Sequence, residues 1–143
     1  MDSFWEGYQK DLDDGYFRLI DNNKCLKPEF IVEYPEEIAS RLQNKNRNKL
    51  SQLWKFYDHT IRLQDSLHQR GYSLEILKAE LCELRPAVNY AMERETVTED
   101  FKKFIDLNVK CINNNEDLSA FIKHFQSVIA YLPKEKPNRG SKP

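Results

Sequence analysis

The sequence predicts an all-α fold: a small bundle of about five helices, preceded by an irregular aromatic-rich N-terminal arm and followed by a disordered C-terminal tail. Three observations carry this. Between residues 35 and 132 apolar side chains recur every three or four positions. Those stretches are bounded by capping residues, by Gly71 and by Pro133. The 143 residues, 40% apolar and 31% charged, suit one soluble domain with a modest core.

In residues 1–34, Phe4, Trp5, Tyr8, Tyr16, Phe17, Phe30 and Tyr34 lie among acidic groups without helical spacing, so the arm is expected to be an extended segment stapled to the bundle. Docking of its aromatics on a partner is the alternative. Asp21-Asn22-Asn23, between residues 16–20 and 25–31, has the composition of a hairpin turn. The bundle then occupies residues 35–132. Pro35 followed by Glu36 and Glu37 suits a helical first turn, where a missing N–H costs nothing and carboxylates meet the positive dipole end. That helix runs to about Gln43. A longer one spans residues 45–70, closed by Gly71, with Leu50, Leu53, Trp54, Tyr57 and Ile61 as its buried stripe.

Ser73 can cap the next helix, whose Leu74, Leu77, Leu81 and Leu84 form a packing seam until Pro86 kinks or restarts it toward Arg94. Thr98, backed by Glu99 and Asp100, starts a helix carrying Phe101, Phe104, Ile105 and Ile112. Asn114 or Asn115 caps a last one with Leu118, Phe121, Ile122, Phe125, Val128 and Ile129, stopped by Pro133. Residues 133–143 lack apolar side chains to bury and are expected to be disordered.

The net charge of −1 is no signature of a polyanion binder, but its distribution is informative. Residues 1–40 carry ten acidic and four basic side chains; residues 41–70 carry two and seven. No glycine-rich phosphate loop occurs, which argues against nucleotide hydrolysis. The three histidines, His59, His68 and His124, form no metal-ligand spacing, and Cys25, Cys82 and Cys111 are too far apart for a zinc site or a disulfide framework. Glu80 and Glu83 near Arg85 read as solvated carboxylates, and no serine sits in a nucleophile elbow. No enzymatic activity and no cofactor are expected. Without an apolar run long enough for a membrane span or a leader at Met1, the expected location is the cytoplasm.

Around the 45–70 helix, Asn48, Gln52, Lys55, His59, Arg62 and Ser66 fall on one side, with Lys45 and Arg70 at its edge, and stay in line for about 27 Å. Asp58 and Asp65 are the carboxylates of that helix. Such a face can follow the phosphates of a nucleic acid without reading its sequence, or it can be an ordinary solvated face.

Four stretches, in order, resemble the small subunit of the type III-A CRISPR effector, the Csm complex. Gly15-Tyr16-Phe17, with Leu26-Lys27-Pro28-Glu29-Phe30-Ile31 and Glu37-Ile38-Ala39, is similar to the entry segment of one branch of that family. Lys49-Leu50-Ser51-Gln52-Leu53-Trp54-Lys55-Phe56-Tyr57 resembles the block opening its long helix. Residues 84–94, which include Arg85, Tyr90 and Arg94, resemble a block of leucine, basic residue, tyrosine and terminal arginine; residues 121–131 resemble the closing helix. Two departures stand out. Trp54 takes the place of a usual arginine, and its phase puts it in the buried stripe; Met92-Glu93 replaces the small residues that commonly precede the arginine matched by Arg94.

The resemblance implies an all-helical, non-catalytic subunit that stacks in several copies along a ribonucleoprotein and contacts mainly the backbone of the duplex of guide CRISPR RNA (crRNA) and target RNA. The implied partners are crRNA, target RNA, backbone subunits and further copies of the chain, with a homodimer as one state of the isolated protein and no membrane. Residue by residue it carries over Gln52, Lys55, Arg85 and Arg94; Lys45, Lys49 and Arg62 are added from the helix face. A helical protein-interaction adaptor without RNA contact is the alternative.

Overall fold

In the computed structural model, which describes residues 3–71 and 73–133, seven α-helices and a two-stranded hairpin share one hydrophobic core. The elements are α1 (Ser3–Asp13), β1 (Phe17–Ile20), β2 (Asn23–Leu26), α2 (Glu33–Leu42), α3 (Leu50–Arg70), α4 (Leu74–Cys82), α5 (Leu84–Glu93), α6 (Glu99–Cys111) and α7 (Asn115–Tyr131), with a single 3₁₀ turn at Pro28–Phe30. The helical class holds. α7 is the central element: α2 and α3 pack on it, α6 carries α1 and α5, and α4 bridges α3 and α5. Phe104, Phe121 and Phe125 interlock at its middle with ring centroids 5.4–5.9 Å apart.

The caps lie where the sequence puts them. The side chains of Ser73, Thr98 and Asn114 accept the N–H groups of Ile76, Phe101 and Asp117. Gly71 ends α3 with φ +64°, the left-handed conformation glycine adopts without a Cβ clash. The chain breaks at Glu83, so Pro86 stands in the first turn of a new helix, where its missing N–H leaves no gap. Leu77, Leu81 and Leu84 are buried as the packing seam requires, but Leu74 is 49% exposed, because α4 offers the core its later turns. The tail expected to be disordered lies, from residue 134 on, outside the described residues.

The arm departs most from expectation. Its first part is helical, not extended: Trp5, Tyr8 and Leu12, spaced by three and four, are buried on one face of α1. Phe4, Tyr16 and Phe17 obscure that spacing in the sequence because they pack from the flanks of the same cluster. The hairpin turns at Asp21 and Asn22, both with positive φ (51° and 67°), the backbone that suits the right-handed twist of paired strands.

The arm's aromatics are core, joined to the bundle by a buried polar knot. Since the Phe30 carbonyl can only accept, His124 Nδ1 carries the proton and donates to it at 2.6 Å. His124 Nε2 then accepts from the Tyr8 hydroxyl at 2.6 Å. Asn108 Nδ2 donates to that hydroxyl and to the Phe104 carbonyl, while Asn108 Oδ1 accepts from Tyr16. Every member is satisfied, which is what makes a polar group tolerable in a dry core. Burial pushes His124 down to about 4, so its imidazole is neutral at pH 7. Trp5 Nε1 adds a bond to Asp100 at 3.0 Å, at the start of α6.

Candidate nucleic-acid interface

The approach to α3 is a built loop. Asn44 Oδ1 accepts the N–H groups of Asn46 and Arg47 at 2.9 and 3.0 Å. Asn48 is buried with φ +56°; its N–H donates to the Thr96 carbonyl, its Nδ2 to the Leu42 carbonyl and Thr98 Oγ1, and its Oδ1 accepts the Thr98 N–H. These bonds hold residues 44–49 out of a helix, which corrects the expected start at Lys45 and removes Asn48 from the polar face. The clustered asparagines, which compete with helical hydrogen bonding, are the signal in the sequence that marks such a loop. Lys45 and Lys49 are both exposed and border an open groove of about 510 Å³ with Leu42, Leu50 and Leu132. The first turn of α3 contains no carboxylate to oppose its positive dipole end.

Along α3 the buried residues are Leu53, Tyr57, Thr60, Leu63 and Leu67, a face rotated by roughly 80° from the expected stripe at 100° per residue. α7 sets this orientation: Tyr57 meets the Phe125 ring at 5.5 Å and Gln64 bonds Ser119 at 2.7 Å. Thr60 tolerates burial because its hydroxyl donates to the Tyr57 carbonyl. The rotation overturns the placement of Trp54 in the core: its indole is 47% exposed, resting an edge on Tyr57. Gln52 and Ser66 are half-buried at the margin, while Lys55, His59 and Arg62 are exposed. Arg62, 79% exposed, pairs with Asp58 one turn earlier at 2.8 Å. Among the described residues no carboxylate of the N-terminal arm reaches Lys55 or Arg62, and Lys55 has no ion pair.

Arg85 in α5 and Arg94 at its C-cap serve different surroundings. Arg85, partly exposed, meets Asp106 at 3.2 Å, and Lys102 meets the other oxygen of that carboxylate at 2.8 Å. Two cations against one carboxylate leave this groove, which Cys82 and Asn89 also line, positive. Arg94, just beyond α5, is exposed and donates to the Tyr90 hydroxyl at 2.8 Å. The loop after it is tied to the α3 approach by the Asn48–Thr96 bond and an Arg47–Glu95 pair of 2.6 Å. Arg94 therefore stands at the same end of the molecule as Lys45 and Lys49, while Arg85 lies about 13 Å away along α5. The sequence reading missed Trp54, Tyr90 (62% exposed) and Lys102 as members of this surface. For Tyr90 the signal was present: an arginine four residues on, over the same helix face.

The groups that could do covalent chemistry are dispersed. His59 and His68 point outward from α3 and His124 is locked in the knot. Cys25, Cys82 and Cys111 are separate thiols, and burial together with Asp13 pushes Cys111 up to about 11. Among the described residues no cluster of His, Cys, Asp or Glu could hold a metal ion, and no helix is long and apolar enough to cross a membrane.

Residues 26–137 match the family model described as Csm2 Type III-A, over more than three quarters of the chain. The chain belongs to that family. Neither a curated protein nor a solved structure gives a significant match. Csm2 is the small subunit of the type III-A CRISPR effector, the Csm complex, and is generally a non-catalytic structural subunit that associates with the complex and its crRNA. The Csm2 match takes in all of α2 to α7, and with them the α3 face, Arg85 and Arg94.

Proposed function

We propose that this chain holds the crRNA–target RNA duplex by its backbone, without sequence specificity, inside a cytoplasmic type III-A interference complex, and contributes to effector assembly rather than to cleavage. Lys45, Lys49 and Arg94 form one positive end; Gln52, Lys55 and Arg62 extend it along α3 for about 15 Å; Arg85 with Lys102 adds a second positive spot. The reading is carried by one observation: Lys55 and Arg62 project from a rigid helix into solvent, clear of the acidic arm. Such cations meet phosphates by charge, and their affinity rests on counterion release. The exposed Glu6, Asp13 and Asp21 of the arm, and the exposed Leu19 and Ile20 of its hairpin, face outward for contacts with backbone subunits and further copies.

The test uses the assembled particle, because stacked copies add avidity that a lone subunit lacks. Replacing Lys55, Arg62, Arg85 and Arg94 together by Ala should lower target-RNA retention by about tenfold or more at ~0.1 M salt and flatten its salt dependence, with helix content unchanged. Retention that is undiminished, with the same salt slope, removes these residues from the interface and favours an adaptor role through protein contacts alone.

A further inference from the structure

The chain has two tryptophans, and the fold treats them oppositely. Trp5 is fully buried and donates its indole N–H to Asp100. Trp54 is 47% exposed on the second turn of α3, with Tyr57 meeting it edge-to-face at 4.9 Å and 71°. That contact and the helix backbone hold the indole in place, so little freedom is lost when something covers it. Its exposed neighbours on the helix are Ser51, Lys55 and Asp58, and the Asp58 charge is met by Arg62. Of the other large exposed apolar side chains, Leu19 and Ile20 lie on the hairpin, Val32 just before α2, Leu74 and Ile76 on α4, Tyr90 on α5 and Tyr131 at the end of α7. Trp54 is thus the one large exposed apolar side chain of α3, set among polar and charged neighbours on that helix, not the centre of an apolar patch of the kind that docks a protein.

A ligand that matches has a flat π face joined to a negative charge a few ångströms away. We infer that Trp54 is a stacking platform for the base of an unpaired nucleotide, whose phosphate lies on the neighbouring Lys55. This rests on the cationic reading of α3 and goes beyond it. A duplex offers α3 only its backbone, since its bases are stacked on one another, whereas a single-stranded stretch offers bases as well. The α3 face then distinguishes unpaired from paired RNA by one aromatic ring, with no base-edge readout.

Indole emission of the full-length chain tests this directly, because Trp5 is shielded and Trp54 is not. A single-stranded oligoribonucleotide should quench the exposed fraction on binding, and a blunt RNA duplex of equal length should not. Trp54→Ala should lower single-strand affinity about tenfold while changing duplex affinity less than twofold; Trp54→Phe, which keeps a ring, should lie between. Lys55→Ala should weaken both RNAs. Absence of quenching at saturating single strand, equal quenching by the duplex, or a Trp54→Ala variant with undiminished single-strand affinity overturns the inference. So does a Trp54→Ala chain that keeps single-strand affinity yet no longer assembles with its partner subunits, which would put a protein on the indole. The cationic reading fails separately, when Lys55→Ala with Arg62→Ala leaves affinity for both RNAs unchanged.

Discussion

Two polar regions of this molecule, one buried and one on its surface, sit on opposite sides of the same rule. In the knot of Tyr8, Tyr16, Asn108 and His124 each donor has an acceptor of the protein, and the group has no charge at neutral pH. On the outer face of α3, Lys55 and Arg62 keep their charge in water, with Asp58 as the nearby counterion. A polar side chain in the first region specifies how the arm docks; one in the second is available to a ligand. Stability and binding should therefore separate cleanly between them.

The largest expected effect comes from breaking the knot. His124→Ala leaves a cavity and strands the Tyr8 hydroxyl and the Phe30 carbonyl, and should cost about 3–5 kcal/mol in urea denaturation. Tyr8→Phe keeps the ring and removes the hydroxyl bonded to His124 and Asn108, for about 1–3 kcal/mol. Neither change should alter RNA affinity while the chain remains folded.

Acid tests the same region with no mutation. His124 is held down to about 4 in the fold, against about 6.5 in an unfolded chain. Between those values the unfolded state binds the proton and the folded state does not, so stability falls as pH is lowered from about 6.5 to 4 and is complete above that window. The contribution is on the order of 3 kcal/mol. Urea midpoints measured across this range should show the decline, and a folded variant without the imidazole should lose that part of the slope.

The smallest expected effect sharpens the other side. Asp58→Asn releases Arg62 from an exposed pair, so stability should move by less than about 0.5 kcal/mol. RNA affinity should rise by about twofold, measured by binding at low salt. A stability loss near that of Tyr8→Phe, or a fall in affinity, would mean that the α3 face is part of the fold's support and not a free surface.

Much of this was legible from local signals. Ser73, Thr98, Asn114 and Gly71 mark helix ends because they satisfy terminal backbone groups by themselves. The hairpin turn at Asp21 and Asn22 was readable for the same reason, and so was the cationic character of the segment around α3. Trp54 was misplaced because helical phase says which residues share a face and not which face meets a neighbour. The Trp5–Tyr8–Leu12 spacing of α1 was hidden by the aromatics crowded around it, and the loop at residues 44–49 by a charge pattern that continues through it.

By itself the sequence determined the helical class, the helix caps at Gly71, Ser73, Thr98 and Asn114, the family and the segment that carries positive charge, because each depends on residues close together in the chain. Tertiary structure alone decided that α7 turns α3 so that Trp54 faces water. It also decided that Asn48 is pinned by Leu42, Thr96 and Thr98, and that His124 closes a knot with residues more than ninety positions away. Those outcomes depend on which surfaces bury the most apolar area and satisfy the most polar groups at once, a condition set by the packed whole and not by any single segment.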